Sequence, residues 1–487
     1  MTNILNVLNK QKISELNEAE KVRSDDYFVI ESVDRGTKKI SSDNLLTSFE
    51  RQIQEQKIYG IKRTLGNDRY WTRTDDAVGL TANATHDGSI VENDFDALYP
   101  WSDIITVNMD DDGTINAKYG EVGFRFDGEN GEVMTFIPDF YWNRWQDDTY
   151  EYIQISNKPF INSHHSEAFY VGRYDTSAGH HSKNNVFALV SQNISYFRNG
   201  ADAKGDTWSQ MDYHYFLLQM LYLVEFGDNH SQSVLGSGIS SCRYTATDTA
   251  LVAESSTNRI IIASDNASYS VGTAICIGTS QGGTNVAAYR TITSKESYSS
   301  GGVTGTAINF DGDPVNIAVG NVLTQCGQVL GQCDALGMKS GCLNNDGRHA
   351  VIYRGIENIF GNVWQFVDGI NIKDNVAYIC YDNSKYVSNK FDEDYEELGY
   401  VNSNVNGYPQ KMGYDYNHPA VALPVELNAS ASAGYCDYYY QNSGNRIALV
   451  GGAFYHGTYT GFFCWTLGDT SGNAHVSLGG RLLKKAV

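Results

Sequence analysis

The chain has 487 residues, of which 41% are hydrophobic and 12% aromatic, enough to fill a packed core in more than one domain. Its formal net charge is −21, from 36 basic and 57 acidic residues, which excludes nucleic acid as the main partner, because a phosphate-binding surface needs clustered Lys and Arg. The 47 glycines and 33 tyrosines against 7 prolines point to a loop-rich, strand-containing chain with much amphipathic ring surface. No run of about 18 apolar residues is present, so no membrane span is expected. The start, MTNILNVLNKQ, lacks a basic stretch followed by an apolar core. No signal peptide is expected, and synthesis in the cytosol is implied.

Residues 1–58 differ in pattern from the rest of the chain. Tyr27 to Ile30 and Thr37 to Ile40 flank Asp34-Arg35-Gly36, which predicts a β-hairpin. After Ser41-Ser42 the spacing predicts a short helix with Leu45, Leu46, Phe49 and Ile53 on one stripe. Two turns of stripe cannot hold a coiled coil alone, but three copies held by other contacts could share it.

In the next stretch Ile104–Val107, Gly123–Phe126 and Val133–Ile137 read as strands, with turns at Asp110-Asp111-Asp112-Gly113 and Asp127-Gly128. The acidic triplet lacks the alternating spacing and the final Glu of an EF-hand loop, so a solvated turn is expected. Asp206 to Phe226 reads as the clearest helix, capped by Asp206, stopped by Gly227 and apolar at Trp208, Met211, Tyr215, Leu218, Leu221 and Tyr222. From about 243 the aromatics thin out. Short β-rich runs at Arg259–Ala263, Thr273–Gly278, Asn285–Thr293, Thr306–Phe310 and Val315–Val319 predict a small all-β insertion.

The organising stretch is Gly355 to Gly369. A turn is easy at Gly361-Asn362, and strict alternation comes next: Val363, Gln365 and Val367 on one side, Trp364, Phe366 and Asp368 on the other. Both sides carry bulky apolar residues, so a strand buried on both faces is expected. Near the end, Val476, Leu478, Leu482 and Leu483 surround Gly479-Gly480, where two backbones could approach closely.

Catalytic motifs are sparse. The eight cysteines, among them Cys436 and Cys464, form no Cys-x-x-Cys pair and no histidine stands at zinc-finger spacing, so buried thiols and no metal site are expected. Nucleophile-elbow, P-loop and dinucleotide fingerprints are absent. Carboxylate pairs suited to glycoside cleavage must arise by chance among 57 acidic residues, and the repeat of a parallel β-helix depolymerase is missing. No catalytic residue, no cofactor and no enzymatic activity are expected.

Gly361-Asn362-Val363-Trp364-Gln365-Phe366-Val367-Asp368 resembles the core segment of the formylglycine-generating-enzyme-like branch of the C-type lectin fold, and Gly479-Gly480-Arg481-Leu482 resembles its closing strand. Gln365 stands where that branch usually has Glu, and Gly480 where it has Phe. A closer resemblance is to bacteriophage tail-fibre and prophage surface proteins. It is carried by Arg73 to Leu80, by Asn93 to Asp96 with Tyr99-Pro100-Trp101, and by Ile137-Pro138-Asp139-Phe140-Tyr141.

The resemblance implies an α+β chain: an N-terminal virion-attachment module over 1–58, a C-type-lectin-like domain in two halves, 59–242 and 341–487, and the β-rich insertion over 243–340 between them. It implies a virion surface fibre or spike, made in the host cytoplasm. Partners would be a bacterial surface receptor (glycan or protein), other virion proteins and two further copies in a homotrimer, with Leu45, Leu46, Phe49 and Ile53 near the axis. A purely structural decoration protein, or less readily a polysaccharide depolymerase, is the alternative. Tyrosine carries large contact area at low entropy cost and brings a hydroxyl. The ring-rich runs at Cys436–Arg446 and Gly451–Asn473 resemble the ligand-facing region of phage tropism determinants. They supply the candidate receptor-binding residues Tyr438, Tyr439, Tyr440, Arg446, Tyr455, His456, Tyr459 and Phe462. About half of these rings are expected inward, Phe463 and Trp465 with them, leaving Tyr438, Tyr440, Tyr455 and Tyr459 facing out.

Overall fold

A computed structural model describes residues 27–32, 36–41, 56–263, 267 and 269–486. The chain divides into two compact units, 1–57 and 58–487. In the first, the strands Tyr27–Ser32 and Gly36–Ser41 pair antiparallel from Tyr27 opposite Ser41 to Ser32 opposite Gly36, the hairpin expected around Asp34-Arg35-Gly36. The stripe Leu45, Leu46, Phe49 and Ile53 lies outside the described residues.

The described residues are mainly β, with 37% in strands and 10% in helices. This corrects the α+β, C-type-lectin-like assignment: the antiparallel sheets dominate, and besides short 3-10 turns the described residues hold three α-helices. These are α1 (Ile194–Asp202), α2 (His214–Phe226) and α3 (Ser231–Leu235). The long helix expected from Asp206 loses its first turns to a strand. Trp208–Gln210 pairs antiparallel with Leu482–Lys484, and the indole N–H of Trp208 donates to the Asp111 carbonyl. The helix begins only at His214, whose backbone N–H donates to the Asp212 carboxylate. It ends where expected, at Gly227, with a left-handed φ of 65°.

Every residue of α2 except Phe226 is buried, so it is a central helix and not an amphipathic one. One side packs on a five-stranded antiparallel sheet, in the order 164–166, 140–146, 150–156, 58–64, 72–75. Another meets rings from the chain's end: Phe216 stacks on Trp465 at 4.9 Å, and Tyr215 and Tyr222 each lie edge-on to Phe462 at 5.2 Å.

The strand Trp364–Lys373 is buried on both faces as far as Ile372, as its alternation predicts. It enters from Gly361 and Asn362, both at positive φ. It is the centre of a sheet ordered 396–401, 376–379, 364–373, 445–450, 465–467, 439–441, and Leu478–Gly479 pairs with its start in parallel. Gly480 is tightly packed, but against side chains: a methyl there would run into Phe197 and Gln210.

Arg481 next to it is wholly buried. Its guanidinium donates to Gln365 Oε1 at 2.8 Å, to Asp175 at 2.8 Å, and to the carbonyls of Gly172, Arg173, Glu357 and Asn358. Burial pushes Asp175 up to about 6 despite this partner, and pushes Arg481 down. Desolvation therefore outweighs attraction in the pair, whose value lies in fixing four chain segments at one point. Asp368, on the same strand, takes a two-pronged contact from Arg198 of α1, both bonds 2.7 Å.

Two other expectations meet the structure differently. Gly123–Phe126 is not a strand: the Asn108 side chain bonds both the N–H and the C=O of Arg125, replacing a strand partner. The acidic triplet Asp110 to Asp112 is a hairpin turn, its carboxylates bound by Asn116, Lys204 and the N–H of Thr114. Within 243–340, the strands 259–262, 303–310, 287–300, 274–278 and 322–325 form one sheet. Its core of Ile260, Ile262, Ile275, Ile277, Ile308 and Leu323 is separate from the central one.

Candidate functional site

The ring-rich runs come together at the far edge of the central sheet. Tyr439–Gln441 pairs in parallel with Trp465–Leu467, placing Tyr439 opposite Trp465 and Tyr440 opposite Thr466. Alternation then sends Tyr438 and Tyr440 one way and Tyr439 the other. Tyr439 is fully buried, its hydroxyl donating to the Ser403 carbonyl at 3.0 Å. Phe462 is fully buried against α2. Neither ring reaches the surface, which corrects their placement among the receptor-binding residues: both fill the core behind it.

The remaining rings form a connected line. Tyr459, 40% exposed, stacks on Tyr438 at 4.4 Å. Tyr408 meets both edge-on. Tyr438 touches Tyr440 at 4.7 Å, and Tyr440 lies 5.7 Å from His456, which contacts Trp364 and Tyr455. Tyr455 in turn stacks almost parallel on Tyr244, 4.6 Å away and 13° apart.

The middle of this line borders an open cleft of about 540 Å³. Its lining combines the rings Trp364, Tyr440, Tyr455 and His456 with the polar residues Asp469, Asn473 and His475. Of the candidates, Tyr440, Tyr455 and His456 line the cleft, and Tyr438 and Tyr459 continue its aromatic rim. Arg446 is half-buried and lies outside the lining, though its charge acts on Asp469.

Electrostatics keep the aromatic wall neutral. Burial pushes the His456 imidazole down to about 4, and its Nδ1 accepts from the Ala453 N–H at 3.2 Å, as a neutral ring can. Burial also raises the hydroxyls of Tyr440 and Tyr455, which stay protonated. Burial likewise raises Asp469, also in the lining, whose carboxylate accepts from Asn473 at 2.8 Å. Ser477 lies between His475 Nδ1 at 2.8 Å and the Tyr455 hydroxyl at 3.3 Å, so that tyrosine is held at its outer end. The cleft offers flat apolar faces together with hydrogen-bonding groups, the equipment of a binding site.

Trp364, Tyr408, Tyr244, Asn473 and His475 belong to this surface and were not among the candidates. Trp364 carried no signal, since the alternation around it predicted burial on both faces. Tyr244 and Tyr408 carried none, because only the folded chain brings them beside Tyr455 and Tyr438.

All eight cysteines are buried and free. Burial pushes the Cys436 thiol up to about 12 and the Cys464 thiol well above its ordinary value, away from the thiolate that reactive cysteines need. Among the described residues, no helix is long and apolar enough to cross a membrane, and no cluster of His, Cys, Asp or Glu is arranged to hold a metal. No protein-family model matches the chain, and no characterised protein matches it in sequence.

Proposed function

We propose that the chain is a bacteriophage virion fibre or spike protein whose ring-lined cleft binds the bacterial surface. The observation that carries the binding role is the continuous run of rings from Tyr408 through Tyr459, Tyr438, Tyr440 and His456 to Tyr455 and Tyr244, edging a cleft that polar groups also line. Stiff rings give contact area without a large ordering cost, and the amide and carboxylate in the lining give direction. The virion setting rests on the resemblance of Arg73 to Leu80, Asn93 to Trp101 and Ile137 to Tyr141 to fibre proteins. Residues 1–57, a separate unit with its own hairpin, are the proposed attachment end.

Gold-labelled antibody against the chain, applied to purified phage particles from cultures that produce it, should decorate the virion surface. Label confined to host cell material would remove the virion role. The homotrimer is tested by light scattering on the full chain. A trimer is expected, and Phe49→Asp should weaken it; a stable monomer at micromolar concentration would contradict it.

A further inference from the structure

A second cleft, remote from the ring-lined one in its residues, lies on the five-stranded sheet beneath α2. It holds about 640 Å³. Asn143, Trp145 and Gln154 form its floor, Asn143 and Gln154 standing directly opposite each other on neighbouring strands. Ile161 to Ser163, leading into the strand at His164, complete the lining with Tyr414 and Tyr416. In a chain in which 19% of residues are Asp, Glu, Lys or Arg, not one of those residues lines this cleft.

The rings are braced from behind. Trp145 stacks on its cross-strand partner Tyr152 at 4.7 Å and 5°, and the Tyr152 hydroxyl donates to Asp147 at 2.9 Å. Tyr414 sits over the buried guanidinium of Arg144, which is fixed by Glu151 at 2.7 Å. Tyr416 is 81% exposed. Among the described residues, the Asn143 and Asn162 carboxamides and the Tyr416 hydroxyl hold no side-chain hydrogen bond within the chain, so donors and acceptors stand open beside preset aromatic faces.

We propose that this cleft is a second binding site and that it takes a neutral saccharide. A pyranose presents C–H faces that pack on rings, and vicinal hydroxyls that both donate and accept, as a carboxamide does. The lack of lining charge disfavours phosphorylated or acidic sugars, which would lose their hydration with no cation in return. The site differs in chemistry from the first cleft, whose lining includes Asp469.

The test uses the full-length chain labelled with fluorotryptophan. Fluorine NMR tracks every indole, and Trp145→Phe assigns the reporter of this cleft. The probes are maltohexaose, cellohexaose and chitohexaose, with the acidic hexamer of galacturonate as comparison. At least one neutral probe should shift the Trp145 signal saturably at up to about 10 mM, the weak range of a small polar ligand. Asn143→Ala on the half-buried floor and Tyr416→Ala at the exposed rim should weaken that probe about tenfold while leaving the other indole signals in place. The proposal is overturned if no neutral probe moves Trp145, if galacturonate moves it as strongly, or if only the Trp364 signal responds.

Discussion

The C-terminal stretch uses one ring-rich composition for two purposes. Tyr439, Phe462, Phe463 and Trp465 are buried, and Phe462 and Trp465 close on α2. Tyr438, Tyr440, Tyr455 and Tyr459 come from the same two runs, yet they build the wall and rim of an open cleft. Strand alternation makes the division at Tyr438-Tyr439-Tyr440, and the turn at Gly457–Tyr459 makes it again. Ring content alone does not mark a binding surface. The face on which each ring falls decides whether it stabilises the fold or meets a partner.

The largest effect should come from the inner set. Phe462→Ala removes a ring packed on Tyr215 and Tyr222 and should cost about 3–5 kcal/mol of stability. Urea denaturation measures it. A loss below about 1 kcal/mol, the scale of a surface change, would erase the distinction between the two sets.

His456 lies on the boundary and gives a pH signature. Its imidazole titrates near 4 when folded, against an ordinary 6.5, because burial disfavours the charged ring. The unfolded chain therefore binds this proton more tightly. The contribution is complete above about pH 6.5 and is lost as pH falls toward 4, a change of about 1–3 kcal/mol. His456→Asn should flatten that part of the stability profile between these limits. An unchanged profile would place His456 in solvent, outside the aromatic wall.

A smaller effect is expected at the insertion. Its isoleucine-rich core is separate from the core around α2. Replacing residues 254–325 by a short Gly/Ser linker should leave a single cooperative melt with native near-UV circular dichroism from the remaining rings. Tyr244 precedes the replaced segment, so its stacking on Tyr455 should survive. A broad, non-cooperative melt would show that the two cores depend on each other.

Much of the fold was legible where local pattern and burial agree. The alternation after Gly361-Asn362 gave the doubly buried strand, and Gly227 gave the end of α2, because both signals act within a few residues. The start of α2 was not legible: Trp208 and Met211 fit a helical stripe, and only the distant strand Leu482–Lys485 draws Trp208–Gln210 into a sheet. The mainly β character was obscured for the same reason, since many strands are three or four residues long and are defined by remote partners. In the cleft, Tyr440, Tyr455 and His456 could be picked out as ring-rich sequence. Alternation separates Tyr439 from Tyr438 and Tyr440 in the sequence, but that Phe462 is buried against α2 follows only from the folded chain.

The most direct measurement is adsorption of the full-length chain to host bacteria, with Tyr438→Ala and Tyr459→Ala compared with the unaltered protein at matched melting temperature. These two rings stack on each other at the rim, and Tyr459 is 40% exposed. Losing either should cost no more than about 1 kcal/mol of stability, the worth of an exposed aromatic pair. Adsorption should fall about thirtyfold, the effect of removing about 2 kcal/mol of interface contact. Unchanged adsorption by both variants, with stability intact, would contradict the assignment of this rim to the host surface.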